Sequence, residues 1–269
     1  MDRKHATAGA IIALSLAAIA GGAAIAQAPQ APKPASGGYL GASAPDTYRI
    51  LPQAPVAGTI RYEADRKAFL ATRNLKDTPR WALAIEDVNQ FTMPKHMACA
   101  LGVELTAQNA PKTLAILSKM APDVGYATNH PKDIYGRKRP YLIDEGPICV
   151  DKSEALAASP DYPSGHATWG WTVALVLAEL APDRATEILI RGRAFGESRM
   201  VCGVHNMSAV EAARTNASAL VAGLHGSAQF RADMDAAREE VAKARAAGPA
   251  PDPAACAKEV ELTKSAPYN

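Results

Sequence analysis

The chain has 269 residues, a length that suits one large domain or two small ones. Apolar residues make up 48% of it and aromatic residues only 6%, a balance that supplies a full core and favours packed helices over a sheet sandwich. The formal net charge of +2 excludes a global field that would attract nucleic acid, so any basic site has to be local.

Residues 1–26 have the pattern of a secretory signal peptide. Arg3 and Lys4 supply a charged start, an apolar stretch covers residues 8–20, and Ala24-Ile25-Ala26 is a small-residue cleavage site. An uncleaved membrane anchor is the alternative, but glycines interrupt the apolar run and it is short for a span. We therefore expect a periplasmic or secreted protein that has no membrane attachment once the signal is removed.

The rest of the chain divides into three segments by composition. Residues 27–58 hold many prolines and predict an extended, loosely held N-terminal arm, with a fully disordered tail as the alternative. Residues 59–247 carry the helical patterning of one domain. Residues 248–269, which are rich in Pro and Ala, predict a C-terminal tail.

Helical spacing of apolar residues, together with capping residues, predicts an all-α domain. Asp77-Thr78-Pro79 combines a cap with a proline at the first helical position. Pro122 is expected to end a helix, because proline removes a backbone donor and clashes with the preceding turn. No strand-like alternation of useful length occurs. The predicted helices span residues 60–75, 79–89, 94–106, 111–120, 167–180, 183–197, 205–224 and 227–247.

Residues 121–163 interrupt this series of helices. Several prolines with charges crowded between them predict a long irregular segment. Long loops in compact domains are usually functional, so we expect ligand-binding residues within it.

The four cysteines suggest two disulfides, since their number is even and an exported protein meets an oxidising compartment. Three pairings are open, no zinc-like cluster is present, and buried free thiols are the alternative. Cys149 lies in the irregular segment and Cys202 in a polar segment near residue 200. We expect these two to be bridged, which leaves Cys99 with Cys256.

The first of three polar segments is Lys132-Asp-Ile-Tyr-Gly-Arg-Lys-Arg139-Pro140. A solvated basic turn is one interpretation. A phosphate clamp is the other, because a guanidinium fork matches phosphate oxygens and a lysine adds a point charge. On its own the segment does not decide between them.

The second segment, Tyr162-Pro-Ser-Gly-His166, stands directly before an apolar predicted helix. Free N–H groups and the dipole at a helix N-terminus favour an anion. Ser164 can add a hydroxyl donor, Gly165 lets a backbone amide come close to a ligand, and His166 would face the anion. A plain capping turn with an incidental histidine is the alternative.

The third segment, Ser198-Arg199-Met-Val-Cys-Gly-Val-His205, ends one predicted helix and leads into the next. Gly203 marks the turn between them. Arg199 and His205 could both point into one cavity between the two helices. Taken alone, the segment is more typical of a surface arginine and a satisfied core histidine.

Together the three segments resemble the signature of the type 2 phosphatidate phosphatase (PAP2) superfamily, which also includes vanadium haloperoxidases. The signature's parts are a Lys, six residues and Arg-Pro; Pro-Ser-Gly-His; and Ser-Arg, five residues and His, and they occur here in that order. Within the superfamily, the chain is similar to the bacterial class A non-specific acid phosphatases over about residues 45–245. Further segments that carry this likeness are Lys76-Asp-Thr-Pro-Arg-Trp81, Ala100-Leu-Gly-Val-Glu-Leu105 and Phe195-Gly-Glu-Ser-Arg199.

The resemblance implies a compact helical bundle with its active site at helix ends, and metal-independent hydrolysis of a broad range of phosphomonoesters. His205 would be the nucleophile that becomes a phosphohistidine, and His166 the acid that protonates the leaving alcohol. No cofactor and no metal are expected. The expected partners are small phosphomonoesters and inorganic phosphate, not nucleic acid polymers, and homo-oligomer formation stays open. The phosphate oxygens are expected to be held by Lys132, Arg139, Ser164, Gly165 and Arg199.

These roles agree with the chemistry of phosphoryl transfer. Side-chain cations and a helix N-terminus can stabilise charge on the equatorial oxygens without magnesium. The nucleophilic histidine has to be neutral and the acid has to be protonated, which predicts a pH optimum near neutrality or on its acidic side.

One position departs from the family pattern. The family usually has an Asp four residues after the nucleophilic histidine, where it orients the imidazole, and this chain has Ala209. Glu211 lies about 240° around the helix from His205 and is expected to face elsewhere. Ser208 or a backbone carbonyl could substitute weakly. The sequence therefore predicts a poorly oriented nucleophile, and Ala209→Asp is expected to raise kcat.

Two other functions stay open on the sequence alone. A vanadate-dependent haloperoxidase would use the same kind of site, although the modest chain length and the class A flanking segments argue against it. A weakly active, anion-binding pseudo-phosphatase is suggested by Ala209.

Overall fold

The computed structural model describes residues 37–268, and within that range helices are the only regular structure. Short 3-10 turns link several of the helices. The expectation of an all-α fold is confirmed for this part of the chain. The α-helices are α1 (Thr47–Ile50), α2 (Ile60–Arg73), α3 (Pro79–Glu86), α4 (Met93–His96), α5 (Ala98–Leu101), α6 (Pro111–Tyr135), α7 (Glu154–Ala158), α8 (Gly165–Leu180), α9 (Ala185–Val201), α10 (Met207–Leu224), α11 (Ala228–Ala247) and α12 (Pro253–Thr263).

Helix α8 is the central element of the bundle and packs against α6, α9 and α10. It is apolar almost throughout, which is typical of a helix buried on all sides. Glycines allow α8 and α9 to approach closely. A Cβ at Gly170 would overlap the Phe195 ring, and a Cβ at Gly192 would overlap Ala174. The N-terminus of α8 and the C-terminus of α9 therefore come together at one end of the bundle.

The predicted end of a helix at Pro122 is wrong, because α6 continues through Pro122 and Pro131 to Tyr135. A proline inside a helix costs about 3 kcal/mol. Burial offsets this cost, since Met120, Val124 and Ala127 on either side of Pro122 are packed in the main core. As a result, Lys132 belongs to the last turn of a long helix and not to an irregular loop.

The N-terminal arm differs from the expected loosely held segment over residues 39–51. Leu40 and Leu51 are buried, and the Thr47 hydroxyl donates to the carbonyl of Ala127 at 2.7 Å. The Tyr39 amide donates to Asp123 Oδ2 at 2.7 Å. These contacts hold residues 39–51 against α6 and α10, whereas most of residues 52–58 are exposed. Apolar patterning was too sparse in this segment to reveal the contacts. The predicted signal peptide and residues 27–36 lie outside the described residues.

The C-terminal segment is also more ordered than the predicted tail. Its helix α12 begins with an Asp252 cap and is joined to α5 by a disulfide between Cys99 and Cys256. Glu259 Oε2 accepts from the buried Arg191 side chain at 3.0 Å. A second disulfide joins Cys149 to Cys202. Both predicted bridges are thus confirmed. The bridge between Cys99 and Cys256 explains why the short Pro- and Ala-rich segment packs against α5.

No helix among residues 37–268 has the length and apolar character needed to cross a membrane.

Candidate active site

The three polar segments of the sequence meet in one cavity of about 760 Å³. The cavity lies where α6 and α9 end and where α8 begins. Its volume is within the usual range for a small-molecule site. Ser164, which was expected at the site, does not line the cavity and is fully buried behind it. The expected site residues that line it are Lys132, Arg139, Gly165, His166, Arg199 and His205.

Two of the cations are held by one loop between α7 and α8. Lys132 Nζ donates to the carbonyl of Pro160 at 2.7 Å and lies 3.4 Å from Ser159 Oγ. Arg139 Nε donates to the carbonyl of Ser159 at 2.7 Å, and its Nη1 donates to the carbonyl of Val204 at 2.8 Å. Neutral carbonyls accept these hydrogen bonds, and neither side chain forms a direct ion pair with a carboxylate among the described residues. Burial, reinforced by Arg139, lowers the pKa of Lys132 to about 8.

The Pro-Ser-Gly-His segment forms the N-terminus of α8. Ser164 is the N-cap, and its hydroxyl oxygen accepts from the amide of Ala167 at 3.3 Å. A direct bond from this hydroxyl to phosphate therefore stays a prediction. Gly165 is needed for space, since a Cβ there would lie 3.0 Å from the side chain of Thr128. The absence of a side chain keeps the helix N-terminus open to the cavity.

His166 and Arg199 present buried polar atoms that have no partner among the described residues. These atoms are His166 Nε2 and Arg199 Nε and Nη1. The His166 ring stacks on Phe195, with ring centroids 4.4 Å apart, so the orientation of the imidazole is fixed. Leaving such groups unpaired costs about 1–3 kcal/mol each, more where they are charged. The unpaired N–H groups of Arg199 beside the cavity indicate that a ligand with oxygen acceptors completes the site, and His166 Nε2 can donate to the same ligand when the ring is protonated.

Burial lowers the pKa of both groups. Desolvation, with Arg139 as a second cause, lowers the pKa of Arg199 to about 10. Desolvation, followed by Arg199 and His205, lowers the pKa of His166 well below its ordinary value. An anion in the cavity would act in the opposite direction on both, since an adjacent negative charge favours the protonated form.

The hydrogen bonds of His205 specify its tautomer. Its Nδ1 lies 2.8 Å from the backbone carbonyl oxygen of Asp161 and 3.0 Å from Asp161 Oδ1. A carbonyl only accepts, so Nδ1 carries the proton and Nε2 has the free lone pair. Arg139 Nη1, a donor, lies 3.1 Å from Nε2 and agrees with this assignment. Burial, then Arg139, Lys132 and Arg199, lower the pKa of His205 well below its ordinary value.

The expectation that Ala209 leaves His205 without a carboxylate partner is wrong. Asp161, a fully buried residue just before the second polar segment, supplies both a carboxylate and a carbonyl to His205. The methyl of Ala209 instead packs with Leu51 and Tyr162. Sequence reasoning missed Asp161 because its contact with His205 spans 44 positions. The one available signal was a carboxylate beside the Tyr-Pro-Ser-Gly-His segment.

The helical fold thus brings three of the expected cations and both expected histidines to one cavity. Among the described residues, no group of three or more His, Cys, Asp or Glu side chains could hold a metal ion. A sequence model described as the PAP2 superfamily matches residues 113–231, a range that contains all seven expected site residues.

Curated relatives narrow the match within this superfamily. An acid phosphatase of Zymomonas mobilis is 43% identical over 78% of this chain and 81% of its own length. A non-specific acid phosphatase of Providencia stuartii is 35% identical over 74% of this chain and 82% of its own. A non-specific acid phosphatase of Salmonella typhimurium is 33% identical over 71% of this chain and 78% of its own length. The chain therefore belongs to the acid phosphatases of the PAP2 superfamily, and the resemblance seen in its sequence is confirmed.

Proposed function

We propose that this protein hydrolyses a broad range of small phosphomonoesters, without a metal, through a phosphohistidine formed on His205. One observation carries the proposal: the unprotonated Nε2 of His205, the unpaired Nε2 of His166 and the unpaired N–H groups of Arg199 belong to side chains that line the same cavity. A phosphoryl group placed there has an attacking atom, an acid and a cation around it. Names of the relatives agree with phosphate ester substrates.

In the first step, His205 Nε2 attacks phosphorus and the bond from phosphorus to the alcohol oxygen breaks. His166 Nε2 gives its proton to that oxygen, and the alcohol leaves. Lys132, Arg139 and Arg199 stabilise the charge on the equatorial oxygens. The substrate dianion raises the pKa of His166 from its low value in the empty site, so the acid is protonated when it is needed.

In the second step, water attacks the phosphohistidine. His166, now neutral, takes a proton from that water, and the bond between phosphorus and Nε2 breaks. Inorganic phosphate and neutral His205 are released, and His166 ends the cycle protonated. The same histidine thus serves as acid and then as base, as the reversal of a proton transfer requires.

The proposal is tested with purified protein and a panel of phosphomonoesters in EDTA, across about pH 4 to 8. We expect turnover of most substrates, no effect of EDTA, and complete loss of turnover in His205→Ala. His166→Ala is expected to lose about 10²- to 10⁴-fold, and most on alkyl phosphates, whose leaving groups need the proton. Equal losses on nitrophenyl and alkyl phosphates would contradict the role of His166, and dependence on a metal would contradict the mechanism.

Export forms part of the proposal. Residues 1–26 carry the signal pattern, which supports a mature protein outside the cytoplasm. N-terminal sequencing of the protein from a fractionated culture is expected to begin near Gln27 in the periplasmic or secreted fraction. Intact Met1 on membrane-bound protein would contradict this.

A further inference from the structure

The carboxylate that contacts His205 belongs to Asp161, whereas the family's spacing places it at position 209. We propose that Asp161 is the positioning residue of the nucleophile: its carboxylate stabilises the imidazolium that develops as Nε2 bonds to phosphorus, and its carbonyl holds the Nδ1–H tautomer. This inference rests on the proposed function, since it assigns a role in the same reaction. It depends on geometry that is independent of any substrate.

The contact between Asp161 and His205 is enclosed. Asp161 is 0% exposed and His205 only 5%. Both Asp161 oxygens are occupied, because Oδ1 accepts from the backbone amide of Asn206 at 3.1 Å and Oδ2 accepts from Asn206 Nδ2 at 2.8 Å. The residue that follows the nucleophile therefore fixes the carboxylate beside Nδ1. Water has no access through which it could replace this contact.

The buried Arg137 side chain lies between the carboxylates of Asp161 and Asp65. Arg137 Nη1 lies 3.4 Å from Asp161 Oδ2, and Nη2 of the same side chain donates to Asp65 Oδ2 at 2.7 Å. Arg137 Nη1 also donates to Ser208 Oγ at 2.7 Å, and the Ser208 amide donates to Asp65 Oδ1 at 2.8 Å. Burial raises the pKa of Asp161, while Arg137 and the Asn206 hydrogen bonds oppose that rise. The network supplies the compensation that a buried carboxylate requires.

This arrangement explains how an alanine is accepted at position 209. The Ala209 carbonyl accepts from the Ser164 amide at 3.0 Å, and its side chain packs in a small apolar cluster. The carboxylate enters instead from the loop that precedes α8. One loop, residues 159–161, thus holds Lys132, Arg139 and His205 together.

Asp161→Asn tests the role, because it removes the charge and keeps both the shape and the backbone carbonyl. We expect the rate of phosphorylation to fall about 10- to 100-fold, less than the ~10⁴-fold loss in a serine-protease triad, since the carbonyl still fixes the tautomer. The acidic limb of kcat/KM is expected to move to lower pH, because loss of the negative charge lowers the pKa of His205 further. The charged or titratable groups that face His205 are Lys132, Arg139, Asp161, His166 and Arg199.

Asp151→Asn is the matched control, since Asp151 is an exposed carboxylate ten residues away in the sequence. This substitution is expected to leave both the rate and the pH profile unchanged. A wild-type rate in Asp161→Asn, or a loss with no change in the pH profile, would overturn the proposal. NMR of isotope-labelled histidine in the wild-type protein needs no variant to fold. It is expected to find His205 protonated at Nδ1, and protonation at Nε2 would equally overturn it. Absence of any phosphohistidine would instead count against the proposed function.

A different observation carries a second inference, which concerns the alcohol half of the substrate. The cavity extends from the phosphate end along α6, where Leu114, Leu117 and Val124 form one wall. Leu114 and Lys132 are 18 positions apart on this helix, roughly 27 Å at its rise per residue. Trp169, one turn after His166 on α8, and Phe91 line the cavity opposite.

The outer part of the cavity carries no charge. Among the described residues, the only formally charged side chains that line the whole cavity are Lys132, Arg139 and Arg199, and all three lie at the phosphate end. Phe91 is 85% exposed and lines this part of the cavity, so its ring is accessible to a substrate bound there. We infer that this site favours phosphomonoesters whose alcohol bears an aromatic ring, and that Phe91 contributes to that preference. This inference also rests on the proposed function.

Two alkyl esters separate this preference from leaving-group chemistry. 3-Phenylpropyl phosphate and propyl phosphate have leaving alcohols of similar basicity and differ in the ring. We expect kcat/KM to be about tenfold or more higher for the phenyl ester, mainly through KM, from burial of the ring. Phe91→Ala is expected to reduce this ratio several-fold.

Ile60→Ala is the matched control, since Ile60 is 90% exposed and does not line the cavity. Equal kcat/KM for the two esters, or an unchanged ratio in Phe91→Ala, would refute the preference while leaving phosphatase activity intact. Failure to hydrolyse either ester would count against the proposed function instead.

Discussion

At the scale of single residues, the partner of the nucleophile illustrates the limit of local patterns. His166, Arg199 and His205 were predicted because each stands in a short segment whose residue types and spacing are typical of one chemistry. Asp161 was not predicted, since a single Asp in a loop has no such pattern. Its role follows only from a contact between residues 44 positions apart.

The structure reverses the effect expected of Ala209→Asp. Ala209 is fully buried, and its methyl contacts Leu51 and Tyr162, which offer no compensation for a charge. A carboxylate there would also repel Asp161. We now expect a loss of stability on the order of 3 kcal/mol and a lower kcat, measured by denaturant unfolding and steady-state kinetics.

Ala222→Asp is the control for this substitution, because Ala222 is exposed on the same helix α10. The control is expected to change stability by less than about 1 kcal/mol. A faster enzyme from Ala209→Asp with unchanged stability would show that the nucleophile is poorly oriented after all.

At the scale of elements, the sequence indicated most helices, and its errors have more than one cause. The predicted helix over residues 94–106 is wrong, because the chain forms only the short helices α4 and α5 there, and α5 ends at Gly102, whose φ is 86°. Helices α2, α8, α9, α10 and α11 begin and end within a few residues of their predicted bounds, because apolar spacing and capping residues are local signals. The continuation of α6 beyond Pro122 and the docking of α12 depend on burial against other elements. Burial of that kind is not visible in a local window.

The two disulfides are expected to have different consequences. The disulfide between Cys99 and Cys256 fixes α12, and neither cysteine lines the cavity. Cys202, in contrast, follows Arg199 by three residues. It is bonded to Cys149 by the disulfide, and its carbonyl also accepts from the Cys149 amide. Replacing Cys99 and Cys256 by Ala is expected to cost about 2–5 kcal/mol of stability with kcat unchanged.

Replacing Cys149 and Cys202 by Ala should lower both stability and kcat, because the turn that carries Arg199 and His205 loses its tether. Thermal unfolding and kinetics on the two double variants measure this difference. A loss of kcat only in the variant without Cys99 and Cys256 would contradict the assignment.

At the scale of the whole molecule, the site holds several buried positive charges close together, and a bound anion would compensate them. Both buried histidines have pKa values well below 6.5 in the folded protein, because burial and neighbouring cations disfavour protonation. In the unfolded chain they take up protons near pH 6.5. The unfolded state therefore binds more protons below that pH, so the free energy of unfolding falls as the solution is acidified.

This linkage predicts that wild-type protein loses more stability between about pH 7 and pH 5 than His205→Asn, which has one such group fewer. Inorganic phosphate is expected to offset part of the loss, since it binds only the folded cavity. Thermal unfolding at both pH values, with and without phosphate, measures these effects. Parallel losses in the two proteins would show that His205 is not held neutral by the fold.

The central claim is that His205 carries the phosphoryl group between the two steps. Rapid acid-free quenching of wild-type protein with a labelled phosphomonoester, followed by peptide mass spectrometry, tests this most directly. We predict an acid-labile, base-stable phosphoryl group on His205 in the wild-type protein and no labelling in His205→Ala. A phosphoryl group on any other side chain, or turnover by His205→Ala, would contradict the account.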